Sequence, residues 1–556
     1  MDFTTPQGFR DVLSEEAVVR EKIVRRVQDL FAENGYLPIE TPTLESMDVM
    51  REGGRVPSSP FKFFDAQGNL VTMRPDVTLQ VARMCGTRLD GKEGPFRFRY
   101  IQRVYREADS KVSIGAREKK QIGVECIGVS GAEIDAELVG LFAQALEVCG
   151  VSGFKLSIAT VGVLRALLAA SSAPDVWKNA VLDAFHTSDF VVLERLCEEA
   201  QSKGSRYAQA IGELAHIRGG RDAIQQVRDL IDSLGFASVL DGFEKTYDLL
   251  VEAGLEERIL VDFSVMSSFD YYTGIVFEAF MPKLGTSLGG GGRYDNMLGV
   301  YGSSRPAAGF AFYLEEVQNA ISVSETVDNE SEDALRIAVP KGSLNPDTIS
   351  VLEQAGLDVT GLENPGRTLI IRNPGVEYII VRPSDAPVFV ELGAADCGIC
   401  GEDSLLESGA DVVQLVDLRY GACRFIVAES ANRAGQIAAR YQSLGSIRVA
   451  TKYPRIARAH FARTGKQVEI VQLHGNIELG PLTGMADCIV DITATGKTLR
   501  DNNLVVTDEV MDSTARFFAN ECSLRTDRRV SELAAKLAEN ANGRELKVTA
   551  GGSHNM

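Results

Sequence analysis

Apolar residues recur at Val19, Ile23, Val27, Leu30 and Phe31, at spacings of four, four, three and one, which predicts an amphipathic helix near the start of the chain. Gly35 follows as its stop, and Tyr36-Leu37-Pro38-Ile39 then reads as extended. From Phe96 to Glu107 and from Gln121 to Val129 the alternation has a period of two, as in antiparallel strands joined by a polar loop. Residues 160–255 read as a largely helical insert, in which Ile224, Val227, Leu230, Ile231 and Leu234 share one face before Gly235. Glycine density then rises from Phe277 to Gly299, through Gly289-Gly290-Gly291-Gly292-Arg293-Tyr294-Asp295. Helices segregated from sheet-forming segments predict an α+β domain built on an antiparallel sheet, not a doubly wound one.

The pattern breaks from Ser322 to Asp333, where five acidic residues and no basic ones accompany only two valines. Such a stretch buries too little apolar surface to offset its ordering entropy and reads as a solvated linker. Beyond it, strands at 335–339, 378–382, 396–400, 424–428 and 447–450 alternate with helical stretches around 386–392 and at Leu405 and Leu406. Asn345-Pro346 offers an N-cap and a first-turn proline. This rhythm predicts mainly parallel sheets in two α/β lobes of the periplasmic-binding-protein type, with ligands at the C-terminal strand ends. The expected domains are 1–321, a linker at 322–333, a second domain at 334–530, and a helix with a polar tail at 531–556.

Composition narrows the partners. Lys plus Arg number 58 against 77 Asp plus Glu, a net charge of −19 over 556 residues, which argues against general nucleic-acid binding. No apolar run reaches the about 18 residues a membrane span needs, and the start lacks a secretory layout. Nine scattered cysteines do not read as a disulfide framework, so a soluble protein of the reducing cytoplasm is expected. Cys397-Gly398-Ile399-Cys400 falls in a predicted buried strand and reads as core, and His474 as a loop residue. A polyanionic substrate would need positive charge concentrated locally.

One motif supplies a setting for phosphate. After the apolar strand Cys488-Ile489-Val490 comes Asp491-Ile492-Thr493-Ala494-Thr495-Gly496-Lys497-Thr498-Leu499. Backbone N–H groups with the hydroxyls of Thr493, Thr495 and Thr498 suit a phosphate nest, Gly496 permits close approach, and Asp491 can accept from sugar hydroxyls. The spacing is not that of a Walker loop. Residues 446–468 carry Arg448, Lys452, Arg455, Arg458, Arg463 and Lys466 without an acid. Lys452 and Arg455 fall at a strand-to-helix turn, where a substrate contact is expected; Arg463 and Lys466 read as a solvated face.

Two resemblances follow. Thr72-Met73-Arg74-Pro75-Asp76-Val77-Thr78, Tyr105-Arg106-Glu107, Gln121-Ile122-Gly123-Val124-Glu125, Asp270-Tyr271-Tyr272-Thr273-Gly274 and the Gly-Gly-Arg-Tyr-Asp run resemble histidyl-tRNA synthetase, a class II synthetase, over roughly residues 1–320. Where that family has an arginine acting on the adenylate this chain has Ser267, and where it has an ATP-clamping arginine this chain has Glu316. Lys119-Lys120 replaces the aromatic that would stack on adenine. The resemblance therefore implies a histidine pocket without adenylation, formed by Asp76, Thr78, Gln121, Glu125, Tyr271, Tyr272 and Tyr294, similar to the regulatory subunit of ATP phosphoribosyltransferase.

Lys341-Gly342, Arg382-Pro383-Ser384-Asp385, Gly393-Ala394-Ala395-Asp396, Cys423-Arg424, Ala450-Thr451-Lys452-Tyr453, Glu478-Leu479-Gly480-Pro481 and the threonine loop resemble the short-form catalytic subunit of the same enzyme, over roughly 335–530. Ser343 departs from the arginine many members carry there. This second resemblance implies displacement of pyrophosphate from phosphoribosyl diphosphate by N1 of ATP, with Mg²⁺ and no dedicated metal ligands. It implies catalytic positions at Lys341, Lys452, Glu478 and Asp491. Substrate contacts are implied at Gly342, Arg382, Ser384, Asp385, Arg424, Thr451, Arg455, Thr493, Ala494, Thr495, Gly496, Lys497 and Thr498. The expectation is a feedback-regulated transferase that assembles as a homo-oligomer, inhibited by histidine. The alternative, a non-enzymatic histidine- or nucleotide-sensing protein, is opposed by the threonine loop with Asp491.

Overall fold

The computed structural model describes residues 3–53, 59, 61–107, 115–264, 271–326, 334–433, 435–493 and 496–542. Two compact units emerge: Met1–Glu332 with Asn520–Arg528, and Asp333–Ala519 with Arg529–Met556. Asn520–Arg528 thus packs with the first unit although it lies within 334–530. None of the described helices is long and apolar enough to cross a membrane.

The first unit is built on a nine-stranded sheet. Its centre is an antiparallel run in the order Phe96–Tyr105, Glu118–Ile127, Ala307–Tyr313, Gly289–Arg293, Ile275–Phe280 and Lys155–Thr160. Helix Ala132–Cys149 buries its apolar side on this sheet, with Phe142 ring centroids 4.9 Å from Phe310 and 6.0 Å from Phe277. Helix Ser14–Glu33 adds Phe31, 5.8 Å from Phe310. The insert is helical as expected, from Val161–Ala170 to Asp241–Glu252, and Ile224, Val227 and Ile231 are buried in Arg221–Asp232.

The four consecutive glycines form a strand, which their sterics explain. A Cβ on Gly291 would fall on the Gly309 carbonyl and 2.6 Å from Phe310 Cβ. A Cβ on Gly292 would stand 2.5 Å from the Ile275 carbonyl. Glycine therefore sets the close approach of these strands.

The second unit holds two mixed sheets. The six-stranded one has the order Ile370–Asn373, Val376–Val381, Leu335–Pro340, Cys397–Gly401, Ala515–Ala519, Val413–Asp417. The five-stranded one runs Val468–Gln472, Ile447–Thr451, Cys488–Thr493, Cys423–Ser430, Leu504–Ser513. Alternation buries the latter on both faces: Phe425 and Val427 join one apolar cluster, Ile426 and Ala428 another.

Several expectations are corrected. The sheets are not mainly parallel: each has two parallel pairs, and its remaining pairs are antiparallel. The reason is a length of chain, Leu504–Ser513 then Ala515–Ala519, that passes from one sheet to the other with only Thr514 between. Such a strand needs no crossover helix and enters antiparallel. Helix Leu314–Thr326 occupies the first part of the supposed linker, whose residues 327–333 lie outside the described ones, as does the tail from 543. Asn345 is the first residue of helix Asn345–Gln354 and not its cap, which is Leu344. Val19 is exposed because Arg20 takes the buried position, bonded to Glu16 and Glu315 at 3.0 Å each.

Gly291→Ala should destabilise the first unit by about 1–3 kcal/mol through overpacking. Gly140→Ala, inside helix Ala132–Cys149 and with open space at its Cβ, should stabilise it by about 0.5–1 kcal/mol. Calorimetric unfolding of both variants checks the pair, and equal effects would contradict the reading.

Candidate functional sites

In the second unit the sequence-derived residues gather at strand ends. Pro340 and Val381 are partners in parallel register, and Lys341 N donates to Val381 O at 2.8 Å, so Lys341 and Arg382 leave the six-stranded sheet side by side. Gly342 has φ +90°, a turn that favours glycine, with open space at its Cβ. Ser384 and Asp385 are exposed, and the Ser384 hydroxyl donates to Asp385 Oδ1 at 3.0 Å.

On the five-stranded sheet, Arg424 stands opposite Thr493 in antiparallel register and pairs with Glu509 at 3.0 Å. Gly496 N donates to Thr493 Oγ1 at 2.9 Å, and Gly496 at φ +67° opens helix Lys497–Asp501. Thr498 is exposed; Ala494 and Thr495 lie outside the described residues. Thr451 is fully buried, and its hydroxyl accepts from Tyr453 N at 2.9 Å. Arg455 is held by protein rather than open: its Nη1 donates to Ser408 O at 2.7 Å, and its backbone N to Glu407.

Four charged groups, Asp403, Lys452, Glu478 and Asp491, form an electrostatic centre. Burial raises the Asp491 carboxyl, and Glu478 raises it further, while Lys452 lowers it. Burial likewise raises Asp403, whose Oδ1 accepts from Ser513 Oγ at 3.1 Å, and Lys452 again opposes the rise. Lys452 therefore serves carboxyls from both sheets. Asp403 went unrecognised as a site residue in the sequence, since only the fold brings the start of helix Glu402–Ser408 toward Lys452. Among the described residues no three His, Cys, Asp or Glu side chains converge to hold a metal. Cys397 and Cys400 are fully buried in the sheet, and burial holds the Cys400 thiol well above its ordinary value.

The first unit buries a polar cluster around Glu125. Thr78 Oγ1 donates to Glu125 Oε1 at 2.7 Å, the Tyr100 hydroxyl to the same atom at 3.4 Å, and the Tyr294 hydroxyl to Oε2. Burial, opposed by these hydroxyls, pushes the carboxyl up to about 8. Gly309 makes the room, since a Cβ there would fall on Glu125 Oε2. Asp76 Oδ1 accepts from Thr78 N at 2.6 Å and Oδ2 from Gln121 Nε2 at 3.3 Å, with Arg106 Nη2 at 3.7 Å. Tyr271 lies 4.8 Å from Tyr272 and 5.8 Å from Tyr294, ring to ring. The structure thus brings all seven expected residues into one neighbourhood and adds Tyr100. In the Gly-Arg-Tyr-Asp run, Arg293 is bonded to Asp135 at 3.0 Å while Tyr294 turns to Glu125.

The same unit has a cavity of about 530 Å³ lined in part by Arg10, Glu16, Lys119, Thr286, Glu315 and Glu316. Each of its acids is paired: Glu16 with Arg10 and Arg20, Glu315 with Arg20 at 3.0 Å, Glu316 with Lys119 at 3.3 Å. Ser267 lies outside the described residues.

Comparison with known proteins gives the two parts of the chain different relatives. The histidyl-tRNA synthetase family profile matches residues 8–317, and the ATP phosphoribosyltransferase profile matches residues 382–539. An ATP phosphoribosyltransferase of Rubrobacter xylanophilus is 50% identical over 217 residues, 39% of this chain and 99% of the relative. An ATP phosphoribosyltransferase regulatory subunit of Moorella thermoacetica is 34% identical over 314 residues, 56% of this chain and 80% of the relative. A crystal structure of a Bacillus halodurans protein, described as ATP phosphoribosyltransferase regulatory subunit/histidyl-tRNA synthetase, matches with a TM-score of 0.53 at 27% identity, covering 68% of this chain and 98% of that one. The class II synthetase-like fold of the first unit is thereby established. The chain belongs to the ATP phosphoribosyltransferases of histidine biosynthesis, and joins in one polypeptide a histidyl-tRNA synthetase-like regulatory part and the catalytic part.

Proposed function

We propose that this cytoplasmic enzyme bonds N1 of the adenine of ATP to the anomeric carbon of phosphoribosyl diphosphate, releasing pyrophosphate, and that histidine held in the first unit inhibits it. The observation that carries the reading is the joint presence, in one chain, of the threonine loop with Asp491 and the buried polar cluster around Glu125. N1 already has a lone pair, so no general base is needed to form the bond. The work is orientation of two polyanions and stabilisation of a cation-like sugar. The loop Thr493–Thr498 would take the 5-phosphate, and Asp491 with Glu478 the ribose hydroxyls. Lys341, Arg382, Arg424 and Lys452 would supply positive charge to the phosphate chains from two lobes of the periplasmic-binding-protein type. Arg455, bonded to Ser408 O, is assigned a positioning role for helix Pro454–Arg463.

Mg²⁺ would neutralise phosphate oxygens while keeping much of its water. Among the described residues no cluster of His, Cys, Asp or Glu forms a dedicated metal site, so the ion would enter with the substrates' phosphates, and Asp403 and Asp491 would offer oxygen donors near them.

In the first unit, Asp76 would receive the α-ammonium of histidine, and Glu125 an imidazole N–H. Paired charges such as Lys119–Glu316 leave no surplus of positive charge for a triphosphate, which supports binding without activation.

Replacing both Thr495 and Thr498 with alanine removes two donors to a charged acceptor, at about 1.5–3 kcal/mol each. The folded double variant should lose more than about tenfold in kcat/KM for phosphoribosyl diphosphate. An unchanged kcat/KM would refute the assignment of the loop.

Glu125→Ala should raise the histidine concentration for half-inhibition by about tenfold or more. Retained sensitivity in that variant would move the inhibitor site elsewhere.

The same carboxyl makes a prediction about stability. It is raised from 4.5 to about 8 in the folded protein, so its contribution is fully present below 4.5 and is lost as pH rises through about 8. Thermal unfolding of Glu125→Gln, followed from pH 5 to 8, should fall less steeply with pH than that of the parent protein. Parallel curves would contradict the burial of an uncompensated acid.

A further inference from the structure

The nine residues Asn520–Arg528 follow the last strand of the second unit in sequence, yet they pack as part of the first. Their short helix, Glu521–Thr526, is capped by Asn520 Oδ1, which accepts from Cys522 N at 2.9 Å and Ser523 N at 3.2 Å. The Asn520 amide donates outward, to Gly285 O at 3.0 Å. Cys522 and Leu524 are buried, 1% and 4% exposed.

Arg525 lies at the centre of this packing. Its Nε is 3.3 Å from Asp262 Oδ2, and its guanidinium sits 4.6 Å from the centroid of the Phe280 ring. Glu521, one turn earlier on the same helix, also pairs with it, and Glu278 adds to the negative field. Asp262 is fully buried at the end of strand Ile259–Asp262. Its Oδ1 accepts from Ser264 N and Oγ at 2.9 and 2.5 Å, whereas Oδ2 has no hydrogen bond. Besides Arg525, Arg218 also stands near the carboxylate, at 3.8 Å. A buried acid and an aromatic ring both within reach of one guanidinium suit arginine, which pairs with carboxylate and stacks on a ring.

We propose that Asn520–Arg528 is a docking segment, recognised by the synthetase-like unit through Arg525, and that it holds the transferase sequence to the regulatory part independently of the acidic linker. The partner this surface fits is thus a short helical segment with an arginine on its buried side. The inference does not rest on histidine binding. It assigns a role to residues that transferase chemistry leaves unused, and Arg with aromatic contacts is the usual anchor of such recognition.

The test uses the full-length protein with a specific protease site inserted between Asn329 and Glu330. After cleavage, the two fragments of the parent protein should co-migrate in gel filtration at micromolar concentration. Removing one partner of a buried ion pair is strongly unfavourable, so Arg525→Met should raise their dissociation constant at least about a hundredfold. Asn520→Ala should raise it by about tenfold, through loss of a hydrogen bond and a cap. If the Arg525→Met protein fails to fold, Arg525→Lys keeps the charge but loses the planar contact with carboxylate and ring, and should raise the dissociation constant by about tenfold. Circular dichroism of the isolated first fragment confirms that it has stayed folded. Parent fragments that separate on cleavage, or Arg525→Met fragments that hold as tightly as the parent's, would overturn the proposal.

Discussion

Two polyanions must be brought together by a chain whose own net charge is −19. Like charges at close quarters cost several kcal/mol unless cations are concentrated locally. The second unit meets this constraint through topology rather than composition. Strands of two sheets stop just before Lys341, Arg382 and Lys452, and at Thr493, so donors from distant sequence positions fall at strand ends. Lys452, opposing the raised carboxyls of Asp403 and Asp491, is the point where contributions from both sheets meet.

The first unit solves the opposite problem. In the cavity lined by Lys119, Glu315 and Glu316 the charges are matched within the protein, Glu316 with Lys119 and Glu315 with Arg20. Around Glu125, by contrast, an acid is buried among neutral groups, the hydroxyls of Thr78, Tyr100 and Tyr294. A buried carboxyl among hydroxyls, without a cation in contact, is costly unless a ligand or a proton completes it. Its rise to about 8 reflects that cost.

Much of this was legible in the sequence, for identifiable reasons. The pair Phe96–Tyr105 and Glu118–Ile127 announces itself through alternation over most of its length, and the side chains gathered around Glu125 through motifs whose spacing survives. What stayed hidden depends on long-range packing. Leu504–Ala519 carries no signal that it passes between two sheets at Thr514, so the mixed topology could not be read. Asp403 lies far in sequence from Lys452, Tyr100 reaches Glu125 only because its partner Gly123 has no side chain, and Arg455 looks like a substrate ligand until Ser408 is placed beside it. Arg20 displaced Val19 from the buried stripe because an ion pair with Glu315, 295 residues away, outweighs local periodicity.

The central claim is that one chain performs the transfer and senses histidine without activating it. The most direct measurement follows formation of the N1-phosphoribosyl adduct by the full-length protein from ATP, phosphoribosyl diphosphate and Mg²⁺ as histidine is titrated in. The account predicts steady product formation that histidine suppresses in a saturable way. Absence of product, or a rate indifferent to saturating histidine, would contradict it.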